Sequence, residues 1–343
     1  MRTLLLNLPW RENNRLGVRA GSRWPFTSSP EEDGSIHYVP FPFFLAYATA
    51  LLKKEKKQAK LIDAVAQGLG EEELIEQVGE SLPELILAET STPSFYNDLR
   101  LIDLLLARLP GSQIALCGPH VNAFPEEILR RYRSITYLLI GEYEYTLLDL
   151  INCLEEGLSP DSIAGLAYRD GEQVRVNAPR PTIENLDMLP WPERKDIPIY
   201  RYNDGFAGLP SPNVQVWSSR GCPFECTYCL WPQAIYRERK YRPRDPKDVA
   251  DEVKYLLSNF NFRAVYFDDD TFNIDKQHVL KICEEMKKRM INVPWAAMAR
   301  ADLMDEEMLR CMRRAGLYAV KYGIESADEG VLRLCKKDLD LDK

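Results

Sequence analysis

Val214-Gln-Val-Trp-Ser-Ser-Arg-Gly-Cys-Pro-Phe-Glu-Cys-Thr-Tyr-Cys-Leu230 runs from a strand-like stretch, 214 to 218, straight into a ten-residue loop that carries Cys222, Cys226 and Cys229. Three thiols in so short a span make a thiolate nest, able to hold three irons of a four-iron cubane and leave the fourth iron without a protein ligand. Three rival readings stand beside this one. The spacing i, i+4, i+7 also suits three small apolar residues on one face of a buried helix. Against it, Gly221 and Pro223 bracket the first cysteine and Pro232 closes the segment, which leaves few residues for a helix. A zinc site wants four Cys or His ligands, yet His37, His120 and His278 stand far from the loop in sequence and Cys283 is a distant fourth. A disulfide framework fits poorly, because eight cysteines in 343 residues without a secretion signal point to a reducing compartment.

Cys-x-x-x-Cys-x-aromatic-Cys, with Tyr228 as the aromatic, resembles the signature of the radical S-adenosylmethionine enzymes. The resemblance implies that Cys222, Cys226 and Cys229 ligate a [4Fe-4S] cluster whose open iron chelates the methionine part of S-adenosylmethionine. An electron from the cluster then breaks the sulfonium bond, and the 5'-deoxyadenosyl radical takes a hydrogen atom from substrate, chemistry that belongs to the cofactors while the protein orients and shields them.

A net charge of -8 and a pI near 5.2 disfavour sequence-independent binding to a phosphate backbone, so no nucleic acid partner is expected. No stretch approaches the roughly 18 uninterrupted apolar residues of a membrane span, and the opening Met1 to Pro9 reads as a first strand rather than a signal peptide. The chain therefore reads as soluble and cytoplasmic. Phe41 to Leu52, followed by Lys53-Lys-Glu-Lys-Lys57, reads as a domain helix with favourable cations in its last turn, or as a helix on a membrane surface. At 45% hydrophobic residues, the length fits two or three domains.

From Arg2 to about Gly157 short apolar strands alternate with amphipathic helices, the pattern of an α/β doubly wound parallel sheet. Strands are predicted near 3–8, 59–63, 84–90, 113–117 and 136–140, with helices near 43–54, 71–80, 97–108, 125–132 and 144–156. Ligands of such sheets collect beyond the carboxyl ends of the strands. The loops there hold Pro9, Asp63, Thr90, Ser91, Gly118, His120, Gly141 and Glu142. A Gly-x-Gly-x-x-Gly after the first strand is missing, which weakens a dinucleotide reading. Phe41-Pro-Phe-Phe-Leu-Ala-Tyr47, Leu61-Ile-Asp-Ala64, Cys117-Gly-Pro-His120 and Ile140-Gly-Glu-Tyr-Glu144, ahead of a radical cluster loop, resemble the cobalamin-binding domain of the class B radical enzymes. That resemblance implies cobalamin at these eight residues, with Gly118 and Gly141 letting backbone approach the corrin closely. The cobalt-ligating Asp-x-His-x-x-Gly element is absent, which implies binding without a histidine ligand. Glycine as ordinary turn chemistry and His120 as a loop hydrogen-bonder are the blander readings.

Gly165 to Val176 reads as a hairpin turned at Asp170-Gly171. Seven prolines in residues 178–212 then stiffen the chain as a linker does. The expected division is a Rossmann-like domain at 1–157, a hairpin and connector at 158–212, and a partial (β/α) barrel at 213–343. In the last, strands are predicted at 214–219, 264–268, 295–299 and 318–324, with helices at 245–259, 275–290 and 305–315. Catalytic side chains of such barrels come from strand ends. There stand Asp269 and Asp270, Arg300, and Glu325-Ser326, which the resemblance implies contact S-adenosylmethionine together with Tyr228. Asp268 to Asp270 also reads as a solvated turn or a helix cap, Arg300 with Asp302 as a surface ion pair, and Arg242 and Arg244 as residues facing an anionic substrate or solvent.

Relatives have six strand–helix units where four are visible here, so the chain reads as truncated. The resemblance implies methylation of an unactivated carbon of a small-molecule or lipid-type substrate, an electron donor such as flavodoxin or ferredoxin, and possibly a second chain completing the barrel. Rearrangement or carbon–carbon bond formation is the alternative chemistry. A cluster- or cobalamin-binding sensor or interaction subunit that turns nothing over is the alternative of another class.

Overall fold

The computed structural model describes residues 1–12, 15–18, 27–30, 38–204 and 208–342, so His37 lies outside the described residues. The chain forms two compact units: Met1–Ile183 with Leu189–Ile199, and Glu184–Met188 with Tyr200–Lys343.

The first unit is built on strands β1 (Arg2–Asn7), β2 (Gln58–Asp63), β3 (Leu85–Glu89), β4 (Gln113–Cys117) and β5 (Tyr137–Leu139). They pair in parallel in the order 2-1-3-4-5, with Leu5 facing Leu61 on one side and Leu87 on the other. This is a doubly wound sheet whose direction of winding reverses between β1 and β3, where open sheets bind ligands. Its strands are runs of Leu, Ile and Ala with exposures near zero, because helices cover both faces. The longer covering helices are α1 (Phe43–Lys54), α2 (Glu71–Ser81), α3 (Phe95–Arg108) and α4 (Glu144–Glu156). The helix predicted near 125–132 is the short one at Pro125–Arg131, and a further short segment at Pro119–Ala123 precedes it, each opened by its proline.

Helix α1 is buried without interruption from Phe43 to Leu52. A membrane-surface helix would leave a polar face to water, so the domain-helix reading is the right one. Lys53 at its end donates to Glu193 (2.8 Å) and Asp196 (2.7 Å), while Arg194 lies 4.2 Å above the Phe41 ring. The middle of the proline-rich segment is thereby fastened to this unit. The hairpin β6 (Leu166–Asp170) and β7 (Gln173–Val176) extends the same sheet: β6 runs antiparallel beside β5, with Leu166 opposite Leu139.

In the second unit β8 (Asn213–Val216), β9 (Ala264–Phe267), β10 (Trp295–Ala299) and β11 (Leu317–Tyr322) pair in parallel in chain order. Helices α5 (Pro246–Asn259), α6 (Lys276–Lys288) and α7 (Glu306–Arg314) connect them, and α8 (Glu329–Leu334) follows. Each of the four begins at an aspartate whose carboxylate accepts a first-turn N–H: Asp245 from Lys247, Asp275 from Gln277, Asp305 from Met308, Asp328 from Val331. An acceptor there satisfies one orphan donor and favours the positive end of the helix dipole. The core gathers around Trp295, whose ring meets Phe267 at 5.4 Å and Phe272 at 5.6 Å. No described helix is long and apolar enough to cross a membrane.

Candidate functional site

The cluster loop leaves the carboxyl end of β8. The strand was predicted to reach residue 219, but it ends at Val216 because Asp269 pulls the chain away. The Asp269 carboxylate, buried, accepts from Ser218 N (3.0 Å), Ser218 Oγ (2.9 Å) and Ser219 Oγ (2.5 Å). A two-residue ladder then closes the loop at its base, Ser219 opposite Pro243 and Arg220 opposite Arg242. Gly221 makes the closure possible: its φ is +86°, and a methyl there would lie 2.0 Å from the Lys240 carbonyl oxygen.

Within the loop Cys226 is buried, and Cys222 and Cys229 are half-buried. Asp270 accepts from Gly221 N (2.8 Å) and from the Tyr236 hydroxyl (3.1 Å), and the Thr271 hydroxyl lies 3.8 Å from the Cys222 sulfur. Burial, reinforced by the Asp270 charge, pushes the Cys222 thiol up and that of Cys229 to about 12. The Phe224 N–H faces Cys222 and the Trp231 N–H faces Cys229, and both oppose that rise. Cys229 also feels the charges of Cys222 and Cys226, so the three sulfurs share one neighbourhood. Among the described residues no three His, Cys, Asp or Glu side chains gather as for a single metal ion. A cubane makes no such demand, since each thiolate binds its own iron. The donor set, three thiols with backbone N–H groups turned toward sulfur, fits a cluster. Cys283 does not complete a zinc site here: its thiol, free of any disulfide, is hydrogen-bonded to that of Cys311 between α6 and α7. His278 packs instead against Tyr241, ring centroids 6.2 Å apart.

The residues expected around S-adenosylmethionine divide by what they touch. Tyr228 is half exposed, and burial, Cys226 and Glu325 together push its hydroxyl up, which brings Glu325 to the loop. Glu325, in the left-handed region at φ +68°, faces the Lys337 ammonium at 3.4 Å. Ser326 accepts from Asp328 N (3.0 Å) at the start of α8. Arg300 is buried: it grips Asp302 with two bonds (2.9 and 2.7 Å), donates to the Lys337 carbonyl (3.0 Å) and lies 3.7 Å above the Phe224 ring. The surface-pair reading of Arg300 and Asp302 is thus corrected. So is the substrate-facing reading of Arg242 and Arg244. Arg242 is buried with its guanidinium 5.1 Å from the Tyr236 ring, and Arg244 is buried on the Trp217 carbonyl, Glu252 and Asp248, each at 2.6 Å. Nor does Asp268-Asp269-Asp270 cap a helix, since Asp275 does so for α6.

Sequence reasoning passed over two contributors. Gln233, in the turn Trp231–Ile235, donates through Nε2 to the carbonyls of Cys229 (2.6 Å), Thr227 (3.0 Å) and Cys226 (3.4 Å). Residues 335–338 return to the loop: Thr227 N donates to the Cys335 carbonyl at 2.9 Å, and Lys336 pairs with Glu225 at 3.5 Å. Neither has a local signature, because one is a side chain reaching backbone and the other a contact 108 residues apart in sequence.

In the first unit the eight expected residues all lie at or beyond the carboxyl ends of strands, Asp63 as the last residue of β2, yet several have structural work. Asp63 accepts from Asn7 Nδ2 (2.9 Å) and caps Ala64–Gln67 through Ala66 N (3.1 Å). Thr90 donates to buried Asp98 (2.7 Å), Ser91 Oγ lies 3.0 Å from Ser94 Oγ, and Ser94 also donates to Asp98 (2.7 Å). The Pro9 carbonyl accepts from Asn97 (3.0 Å). Gly118, at φ +106°, is required by protein backbone: a methyl there would lie 2.3 Å from the Thr90 carbonyl oxygen. The corrin-approach reading is not needed to explain it. Gly141 N is held by Asn122 Oδ1 at 2.7 Å, and the buried Glu142 carboxylate accepts from Ile183 N at 2.8 Å. His120 packs on Phe95 with ring centroids 4.1 Å apart and meets the Thr92 hydroxyl at 3.1 Å, and burial lowers its pKa.

Residues 218–343 match the Radical SAM superfamily. The matched stretch holds the cluster loop and the strands β9, β10 and β11. An "uncharacterized methyltransferase" of Pyrococcus horikoshii is 27% identical over 299 residues, covering 87% of this chain and 63% of its own length. The anaerobic magnesium-protoporphyrin IX monomethyl ester cyclase of Cereibacter sphaeroides is 28% identical over 311 residues, 87% of this chain and 49% of that one. In fold, OxsB, a cobalamin-dependent S-adenosylmethionine radical enzyme solved with aqua-cobalamin bound, matches with TM-score 0.77. The match has 22% identity and covers 99% of this chain and 46% of that one. The chain therefore spans about half to two thirds of the length of these relatives, and the predicted α/β class, a doubly wound sheet followed by a partial barrel, is borne out.

Proposed function

We propose that the chain is the cofactor-holding part of a cobalamin-dependent radical SAM enzyme that transfers a methyl group to an unactivated carbon. The observation that carries the reading is the loop itself, three thiols at the carboxyl end of the first of four parallel strands, closed by a ladder and held by Asp269 and Asp270. Cys222, Cys226 and Cys229 would hold a [4Fe-4S] cluster; Tyr228, Glu325 and Ser326 border the place for S-adenosylmethionine. Arg300 and Asp269 support that place from behind, since their polar atoms are engaged by the chain itself. The loops bearing Pro9, Thr90, Ser91, Gly118, His120 and Gly141 would hold cobalamin at the reversal between β1 and β3, with Asp63 and Glu142 bracing their backbone. Bound there, the cluster supplies the electron that splits S-adenosylmethionine, and cobalamin supplies a methyl carrier.

The chain's residues ligate, orient and exclude water. The substrate is a small or lipid-type molecule, and the reductant a flavodoxin- or ferredoxin-class donor. Similarity to the cyclase supports a second reading, carbon–carbon bond formation without methyl transfer. Anaerobically reconstituted, reduced protein given S-adenosylmethionine is expected to form 5'-deoxyadenosine, with Cys226→Ala forming none. Methyl transfer adds S-adenosylhomocysteine in step with product; cyclisation leaves 5'-deoxyadenosine alone. Iron-loaded wild type that forms neither would leave a binding subunit.

A further inference from the structure

The cluster loop has an ordered polarity. Its N–H groups at Phe224 and Trp231 face the sulfurs of Cys222 and Cys229. Its carbonyls at Phe224, Cys226, Thr227 and Cys229 face side-chain donors: Arg239 Nη1 takes that of Phe224 at 2.7 Å, and Gln233 takes the other three. All three partners of Gln233 are carbonyls, which only accept, so the side chain must present its amide N–H₂ to them, two protons shared among three oxygens. The amide is anchored most firmly at Cys229, where the distance is 2.6 Å.

Carbonyl oxygens carry negative partial charge. Turned toward the cluster they would raise the cost of adding an electron, whereas N–H groups directed at sulfur lower it. We propose that Gln233 is a positioning residue which, by holding the carbonyls of Cys226, Thr227 and Cys229 away from the sulfurs, keeps the cluster at a reducible potential. Gln233 is itself exposed, so its reach across the loop contributes nothing to a hydrophobic core. This inference rests on the cluster-binding reading above and adds to it a residue that touches no iron, substrate or cofactor.

The test compares wild type, Gln233→Leu, which keeps the bulk and loses the donor, and Gln233→Lys, which restores a donor. Each is reconstituted with iron and sulfide, and iron per chain, the paramagnetic resonance spectrum of the reduced cluster and its midpoint potential are measured. Q233L is expected to load its cluster with a more negative potential and altered g values, or to load less iron, and Q233K to return toward wild type. Thermal unfolding of the unloaded proteins should coincide. If Q233L matches wild type in iron, spectrum and potential, or if Q233K is as impaired as Q233L, the inference is overturned while the cluster reading stands. A wild type that takes up no four-iron cluster overturns both.

Discussion

Gly221 shows how a single position fixes the cluster loop. With φ +86° and only 2.0 Å between a would-be methyl and the Lys240 carbonyl, Gly221→Ala must move backbone. The cost is expected to be at least about 2 kcal/mol in urea unfolding, with reduced iron uptake. Gly171→Ala is the control, since its φ of +58° opens on empty space and only the left-handed strain of about 1 kcal/mol remains. His278 gives a pH signature. Burial drives its pKa down to about 4, so the folded protein keeps it neutral while the unfolded chain binds a proton near pH 6.5. Between those values the unfolded state holds more protons, so stability falls as pH drops from 6.5 to 4, by up to about 3 kcal/mol from this residue. His278→Gln is expected to flatten that part of a urea-midpoint profile. A difference between the two proteins that does not change with pH would contradict this assignment.

At the scale of elements, the ion cluster under the loop's exit is the part most exposed to disruption. Arg244 joins the Trp217 carbonyl to Glu252 and Asp248 of α5, with Arg244 and Glu252 almost wholly buried. Removing one partner of a buried pair leaves an uncompensated charge, so Arg244→Ala is expected to cost about 3–5 kcal/mol. Arg130→Ala, whose pair with Glu126 is exposed on both sides, should cost at most about 0.5 kcal/mol in the same unfolding measurement. The strands and helices themselves were legible because apolar runs such as Leu4 to Leu6 and Leu85 to Ala88 are what a sheet covered on both faces demands. The early end of β8 was not, since it depends on Asp269, 51 residues away from Ser218. The hairpin at Leu166–Val176 was legible from its Asp-Gly turn, while its place beside β5 is a long-range pairing with no local signal. Aspartates at strand ends looked like ligands, and several prove to hold backbone, because a carboxylate that accepts N–H bonds and one that binds an ammonium group read alike in sequence.

For the molecule as a whole, the two units carry separate sets of loops at the carboxyl ends of parallel strands, and the cysteine trio belongs to the second. The trio was legible because ligand spacing is a local property of the chain; the partners that shape the loop around it, the donors Gln233 and Arg239 and the accepting Cys335 carbonyl, were not. The central claim is that three thiolates hold a four-iron cluster with one iron left open to a sulfonium ligand. Mössbauer spectroscopy of protein reconstituted with ⁵⁷Fe, before and after adding S-adenosylmethionine, tests it most directly. Four irons per chain, one of which changes its isomer shift and quadrupole splitting on addition, is the predicted result; four irons indifferent to the ligand, or a chain that takes one zinc in place of iron, would contradict it.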